Sequence, residues 1–196
     1  GNRVDIDTEA ALARALITVE QVRECEAING TRVELHGVDL PDLGTRIEEL
    51  CLGFPVAVLF NGRPLKRPLA EGHLASQASP IGAVHLAGTL DGKYTHETMV
   101  FLQGFCVLKP TYCLRDELNV VHLDSRQFMA RLPDRDKLID EDVQRKRIDA
   151  ELKACWRNTL EIARTRLSPE RFVETYYAVM RGWGQLDLLN DMDVLP

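Results

Sequence analysis

The sequence has few aromatic residues and an excess of acids, and both features narrow the classes of function. Phe, Trp and Tyr make up 6% of the 196 residues, and the formal net charge is −6. A chain that coats nucleic acid needs cations to neutralise phosphates and aromatic rings to stack on bases. The composition therefore argues against nucleic acid as the main partner, although it allows local basic patches.

The sequence also lacks long apolar runs and several short catalytic motifs. No run approaches the roughly 18 apolar residues that a membrane-spanning helix needs. There is no G-x-x-x-x-G-K-[ST] loop for phosphates and no Gly-x-Ser-x-Gly turn for a serine nucleophile. P-loop nucleotide binding and serine-nucleophile catalysis therefore have no signal in this sequence.

The cysteines form no recognisable disulfide or zinc pattern. There are five, an odd number without a C-x-x-C pair: Cys25, Cys51, Cys106, Cys113 and Cys155. Such cysteines are typical of a reducing compartment, and we expect an intracellular, cytoplasmic protein. Cys106 and Cys113 with His85 and His122 are the best candidates for zinc. Their spacing is not specific, however, and we expect buried thiols, a hydrogen-bonded histidine and no metal site.

Length and composition are those of an ordinary globular protein. Hydrophobic residues make up 45% and charged residues 28% of the chain, which is long enough for one domain with a helical appendage. The chain begins at Gly1 without methionine, from which we expect an excised piece of a longer protein. In that case part of the chemistry lies elsewhere.

The N-terminal residues 1–40 predict short elements of mixed type. Residues 3–6 read as an edge strand, and Asp7-Thr8 is a candidate cap for a helix that continues to Ile17. Residues 18–20 are the expected start of a second helix, which ends near Asn29.

The most informative stretch is residues 29–68. Residues 32–35 alternate as a strand does, and Pro41-Asp42 is a suitable helix start because proline loses nothing in the first turn. Residues 53–55 break that helix, and residues 56–60 are an apolar run of strand length. Asn61-Gly62 then predicts a tight hairpin, because both positions of a type I′ turn need positive φ.

Further strand signals continue to residue 123. They are residues 83–86, residues 95–108 with a bulge or bend at Gly104, and residues 119–123, with Asp91-Gly92 as a second hairpin pair. Short connections favour antiparallel pairing. The sequence thus predicts an α+β fold, with a mainly antiparallel sheet from residues 55–123 and packed helices.

The C-terminal third is helical by pattern. A long helix is expected after Pro133-Asp134, and a second one starts at Ser168-Pro169-Glu170 and stops near Gly182. Together they predict a C-terminal helical hairpin in residues 133–196. The acid-rich residues 133–137 also bear a slight similarity to metal-dependent nucleases, but a capped helix start explains them without a metal.

The order of elements in residues 29–68 resembles the junction in GHKL ATPases, the group of gyrase B subunits, heat-shock chaperones, histidine kinases and MutL proteins. In that family a Gly-Thr strand, here Gly30-Thr31, finishes the nucleotide-binding domain, and a helix leads into a transducer domain. The resemblance implies that residues 1–40 end a nucleotide-binding domain. It also implies that residues 41–132 form a transducer of the ribosomal S5 domain 2-like type.

The same resemblance supplies two candidate nucleotide contacts. In MutL-type proteins a His-Pro-x-Lys loop after a late strand reaches the terminal phosphate of ATP. Here His122 keeps its place, Leu123 replaces the proline, Ser125 stands at the lysine position and Arg126 follows. This departure makes Lys109, in a loop after another strand, a competing candidate, so Arg126 and Lys109 are the expected cofactor-binding residues.

The family's catalytic elements are missing from this sequence. It contains neither the helix with a general-base Glu and a magnesium-binding Asn nor the Asp-x-Gly-x-Gly element for adenine. We therefore expect ATP and Mg²⁺ in the parent protein and none in this fragment, which relays nucleotide state from an upstream nucleotide-binding domain within a homodimer. The alternative is a non-enzymatic protein-interaction module with a helical docking arm.

Overall fold

The computed structural model describes residues 2–21, 32–34, 36–37, 39–110, 118–132, 135–190 and 192. The chain divides into two compact units, Gly1–Pro41 and Asp42–Pro196. The fold is α+β, as the sequence predicted. Within the described residues, no helix combines the length and the apolar character that crossing a bilayer requires.

The first unit contains a two-stranded sheet and a short helix. β1 (Asn2–Val4) pairs antiparallel with β2 (Val19–Gln21), so that Val4 lies opposite Val19. Helix α1 (Thr8–Leu12) follows Asp7, whose side-chain Oδ1 accepts a hydrogen bond from the backbone N–H of Glu9 at 2.9 Å. The predicted edge strand and capped helix are therefore both present, and the cap is Asp7.

Three predictions for this unit are wrong in its described part. The second helix does not start at residues 18–20, because β-branched Val19 pairs in a strand instead. The first helix does not reach Ile17, because Arg14 has a left-handed φ of 58° and ends it. Residues 32–34 are likewise not in a strand. The predicted elements within residues 22–31, and residue 35, lie outside the described residues.

The second unit is built on a five-stranded sheet in the order β5-β6-β9-β7-β8. The strands are β5 (Gln77–Ser79), β6 (Gly82–His85), β7 (Thr98–Leu102), β8 (Phe105–Leu108) and β9 (Asn119–Leu123). Three of its four pairings are antiparallel, as predicted, whereas β7 and β9 run parallel. The parallel pair arises because β9 returns between β6 and β7 instead of adding at the edge.

The two Gly-containing pairs in the sheet region have different roles. Gln103-Gly104, with φ of 54° and 87°, turns β7 directly into β8, so the predicted bend at Gly104 is a hairpin. Asp91-Gly92 does not join paired strands, because β9 separates β6 from β7. That predicted hairpin is wrong, and Gly92 instead lies against the backbone of the second C-terminal helix.

Both faces of the sheet are buried, because successive side chains along a strand point to opposite faces. On β7, Val100 and Leu102 belong to the main core, whereas Met99 and Phe101 belong to a second cluster. The main core also contains buried residues of two C-terminal helices. The second cluster contains Leu69, from the segment that follows α2.

The C-terminal helices form the predicted pair. α3 spans Glu141–Arg166, and α4 spans Pro169–Gly182 with the Ser168 hydroxyl accepting from the backbone N–H of Arg171 at 3.3 Å. The predicted start of the long helix is too early. Ile139 N donates to Met129 O at 3.0 Å, and this pairing holds the chain in an extended bridge before the helix begins.

Helix α2 and a small hairpin connect the start of this unit to the sheet. α2 (Leu43–Leu50) follows Asp42, and β3 (Leu59–Phe60) turns into β4 (Arg63–Pro64). Asn61 and Gly62 have φ of 50° and 76°, so the predicted type I′ hairpin is confirmed. The strand is shorter than predicted: of residues 56–60, only Leu59–Phe60 are in β3.

Candidate functional site

An open groove of about 580 Å³ lies beside the edge strand β8. Its walls come from α2, from β8 and Lys109, and from residues 135–145 around the start of α3. The apolar part of the lining consists of Leu50, Phe105, Cys106, Val107 and Leu108. Lys109, one of the two predicted nucleotide contacts, is exposed in this groove.

The described lining residues carry an excess of positive charge. Five are cations and three are acids: Arg46, Lys109, Arg135, Lys137 and Arg145 against Glu49, Asp136 and Glu141. This local excess contrasts with the net charge of −6 for the whole chain. Concave surfaces lined mostly by one sign of charge raise the local concentration of the opposite sign. The groove therefore favours an anionic ligand.

The cations differ in what they already contact. Arg145 forms an ion pair with Glu141 at 2.7 Å, and the Arg135 guanidinium lies 5.7 Å from the centre of the Phe105 ring. Arg46, Lys109 and Lys137 make no salt bridge with any described residue. The side chains of all three are exposed.

Arg126, the other predicted contact, lies at the opposite end of the sheet. Arg126 follows β9, whereas Lys109 follows β8. These two strands run in opposite directions, because β8 pairs antiparallel with β7 and β9 pairs parallel with it. Arg126 is exposed in a turn, where its backbone N–H donates to Asp124 Oδ1 at 2.9 Å. This hydrogen bond, with that from Gln127, lowers the pKa of the Asp124 carboxyl below its usual value. The two candidate residues thus do not share a site.

His122 anchors the segment after α2 to the sheet. Its Nε2 lies 2.8 Å from the Leu69 carbonyl oxygen, and its ring stacks on Phe101 with centroids 5.1 Å apart. The Phe101 ring fills the space above Gly53, where a Cβ atom would lie 2.3 Å from it. The motif position that the resemblance singled out is therefore occupied by a packing and hydrogen-bonding histidine.

We expect this histidine to make stability fall as the pH drops. Burial lowers the pKa of His122 below 6.5, and it outweighs the Leu69 hydrogen bond and the charge of Glu71, which raise it. The unfolded chain, with a pKa of about 6.5, therefore binds the proton first, and stability is lost as the pH falls through this value. Urea unfolding between about pH 7.5 and pH 5 measures this slope.

The matched variant for this prediction is His122→Gln. Glutamine keeps an N–H donor for the Leu69 carbonyl oxygen, but its amide does not gain a proton in this pH range. It should show a shallower dependence of unfolding free energy on pH than the original chain. Equal slopes in the two proteins would contradict the assignment to His122.

The candidate metal ligands form no cluster in the described part of the chain. Cys106 and His122 lie on either side of Phe101 in neighbouring strands, and His85 Nδ1 lies 3.0 Å from the Ala75 carbonyl oxygen. No group of three or more His, Cys, Asp or Glu residues suited to a metal is found there. Cys113, and Asp134 of the nuclease-like segment, lie outside the described residues.

Four cations of the groove were not recognised from the sequence. Arg46 belongs to α2, whereas Arg135, Lys137 and Arg145 come from the region before and within the start of α3. Acids and bases alternate in these segments, which is typical of ordinary solvated surfaces. Only their convergence with Lys109 in three dimensions distinguishes them.

Comparisons with known proteins give no family for this chain. No protein-family model, curated protein or solved structure matches it. The groove and the packing around His122 are therefore the features that bear on its function.

Proposed function

We propose that this chain is the coupling portion of a GHKL-type ATP-binding protein and that Lys109 senses the terminal phosphate. The observation that carries the proposal is that two features of the chain meet in one groove. Helix α2 belongs to the stretch that resembles the family, and it lines the same cation-rich groove as Lys109. A lysine ammonium is a compact point charge that commonly binds phosphate.

The surroundings of the two candidates favour Lys109 over Arg126. Lys109 has other cations in the same groove and no ion pair with a described residue. Arg126 lies on a turn with Asp124, whose carboxylate faces the backbone of that turn and carries the opposite charge. Phosphate binding needs several converging donors, which supports the groove.

The packing after α2 gives a route for coupling. The segment that follows this helix is fixed to the centre of the sheet by the His122–Leu69 hydrogen bond and by Phe101 against Gly53. A phosphate that binds at Lys109 and α2 biases the position of this connected body, which is how a ligand selects between domain arrangements. The fragment itself is not expected to hydrolyse ATP, because the family's catalytic elements are absent from its sequence.

The test is calorimetric binding of a non-hydrolysable ATP analogue. We expect binding by a version of the protein extended upstream by a nucleotide-binding domain, and none by the 196-residue chain. In the extended version, Lys109→Ala should weaken binding about tenfold, since a hydrogen bond to a charged group contributes roughly 1.5–3 kcal/mol. Arg126→Ala is the matched control and should change affinity by less than about twofold.

Two results would remove this proposal. If the extended version does not bind the analogue, the non-enzymatic interaction module is the better account. If Lys109→Ala and Arg126→Ala bind as the original does, neither residue senses nucleotide and the coupling role loses its basis.

A further inference from the structure

The groove is larger than a terminal phosphate requires. Its lining includes Phe105 at the start of β8 and Lys109 just after its end, a separation of about 13 Å at roughly 3.3 Å per residue. A phosphate contacts only a few donors at one point. Most of the groove is therefore unexplained by the proposed function.

The floor of the groove suits apolar side chains. Leu50, in α2, exposes 56% of its surface, and Phe105 is partly buried. Both residues line the groove, and the buried side chains of Val107 and Leu108 lie beneath its surface. Exposed apolar surface within a concave site, rimmed by charged groups, is typical of a site where another molecule binds.

The rim has both signs of charge, with cations in excess. Arg46, Lys109 and Lys137 have no ion pair with a described residue, whereas Glu49 and Asp136 also line the groove. A polyphosphate or an anionic bilayer presents negative charge continuously, so part of that charge would lie against Glu49 and Asp136 and be repelled. A peptide carries its carboxylates at intervals, so that acids meet cations and apolar side chains reach the floor between them.

We propose that the groove docks an acidic peptide segment of a partner protein, with Asp or Glu side chains at Arg46 and Lys137 and apolar side chains over Leu50 and Phe105. The size, the apolar floor and the net positive rim all fit this occupant. The docking needs no nucleotide, and it extends beyond the coupling role that we propose for Lys109.

The experiment measures the binding of a fluorescent synthetic peptide to the 196-residue chain by anisotropy. The probe has roughly ten residues, enough to span β8 when extended, with Asp and Leu interspersed among Ser. We expect the double variant Arg46→Glu/Lys137→Glu to bind about tenfold more weakly, and we expect added salt to weaken binding to the original chain. Both residues are exposed, so the variant should fold, and circular dichroism checks this.

Two controls separate this docking from general attraction of anions. Arg126→Glu makes the same charge change as either single variant, Arg46→Glu or Lys137→Glu, at the other end of the sheet, and should alter affinity by less than about twofold. A peptide with every Leu replaced by Ser should bind about tenfold more weakly, because it leaves the apolar floor uncovered.

Three results would overturn the proposal. The first is equal weakening by Arg126→Glu and by the double variant, and the second is equal affinity of the peptide without Leu. The third is tighter binding of tripolyphosphate or of phosphatidylserine vesicles than of the peptide, with the same dependence on Arg46 and Lys137. The ATP-analogue test changes Lys109 in the extended protein, whereas this test changes Arg46 and Lys137 in the 196-residue chain without nucleotide, so the failure of one proposal is distinguishable from the failure of the other.

Discussion

Replacing Gly92 by alanine is expected to lower the free energy of unfolding by about 3 kcal/mol or more. Gly92 has a φ of 69°, and a Cβ atom there would lie 1.6 Å from the Thr175 carbonyl oxygen of α4. The substitution therefore combines a left-handed conformation, unfavourable for an L-residue, with a clash against helix backbone. Urea unfolding followed by circular dichroism measures the loss.

The control for this effect is Gly62→Ala. Gly62 has a similar φ of 76°, but nothing lies within 4 Å of the position that its Cβ would occupy. It should lose only the conformational part, about 1–2 kcal/mol. Similar losses at the two glycines would mean that α4 does not lie against residue 92.

Replacing Phe172 by alanine is expected to cost about 3–5 kcal/mol, the usual range for removing a fully buried aromatic ring. Phe172 lies on the inward face of α4, where it is 0% exposed in the main core, and the centre of its ring lies 5.7 Å from that of Tyr176. Tyr176 in turn donates its hydroxyl hydrogen to the Thr89 carbonyl oxygen at 2.6 Å. The substitution leaves a cavity between the helix and the sheet, and urea unfolding measures its cost.

Tyr177→Ala, on the same helix, is the matched comparison. Tyr177 exposes 46% of its surface, so its removal opens no closed cavity and should cost less than about 1 kcal/mol. If Phe172→Ala and Tyr177→Ala were equally destabilising, the inward face of α4 would be assigned wrongly.

The sequence predicted well wherever a few neighbouring residues decide the conformation. Asn61-Gly62 turns because asparagine and glycine accept positive φ, and Ser168-Pro169 starts α4 because the hydroxyl caps a free N–H and proline needs none. Residues 119–123 form β9 as predicted, since their apolar and β-branched side chains suit a strand that is buried on both faces.

The errors occurred where distant residues compete for the same segment. Val19 joins a strand because Val4 pairs with it, and no helical pattern around residue 19 reveals that partner. The long helix begins at Glu141 and not near residue 133, because Met129 and Ile139 first pair their main chains. Local propensity is a weak guide when a partner elsewhere supplies the hydrogen bonds.

The candidate site was only partly accessible from the sequence. The resemblance predicts Arg126 from its place after His122 in the motif-like loop, and the departure of that loop from the motif makes Lys109, in a loop after another strand, a competing candidate. The strand directions separate them, since β8 and β9 run in opposite directions on either side of β7.

By itself the sequence determined the α+β class, the tight turns, the cap of α4 and the acidic net charge of this protein. Tertiary structure alone decided the insertion of β9 beside β7 and the cation-rich groove along β8. The physical reason is the separation along the chain between the residues that decide each feature. Turns and caps depend on φ and on hydrogen bonds within a few residues, whereas strand order and the meeting of Arg46, Lys109 and Lys137 depend on contacts between residues far apart in the chain.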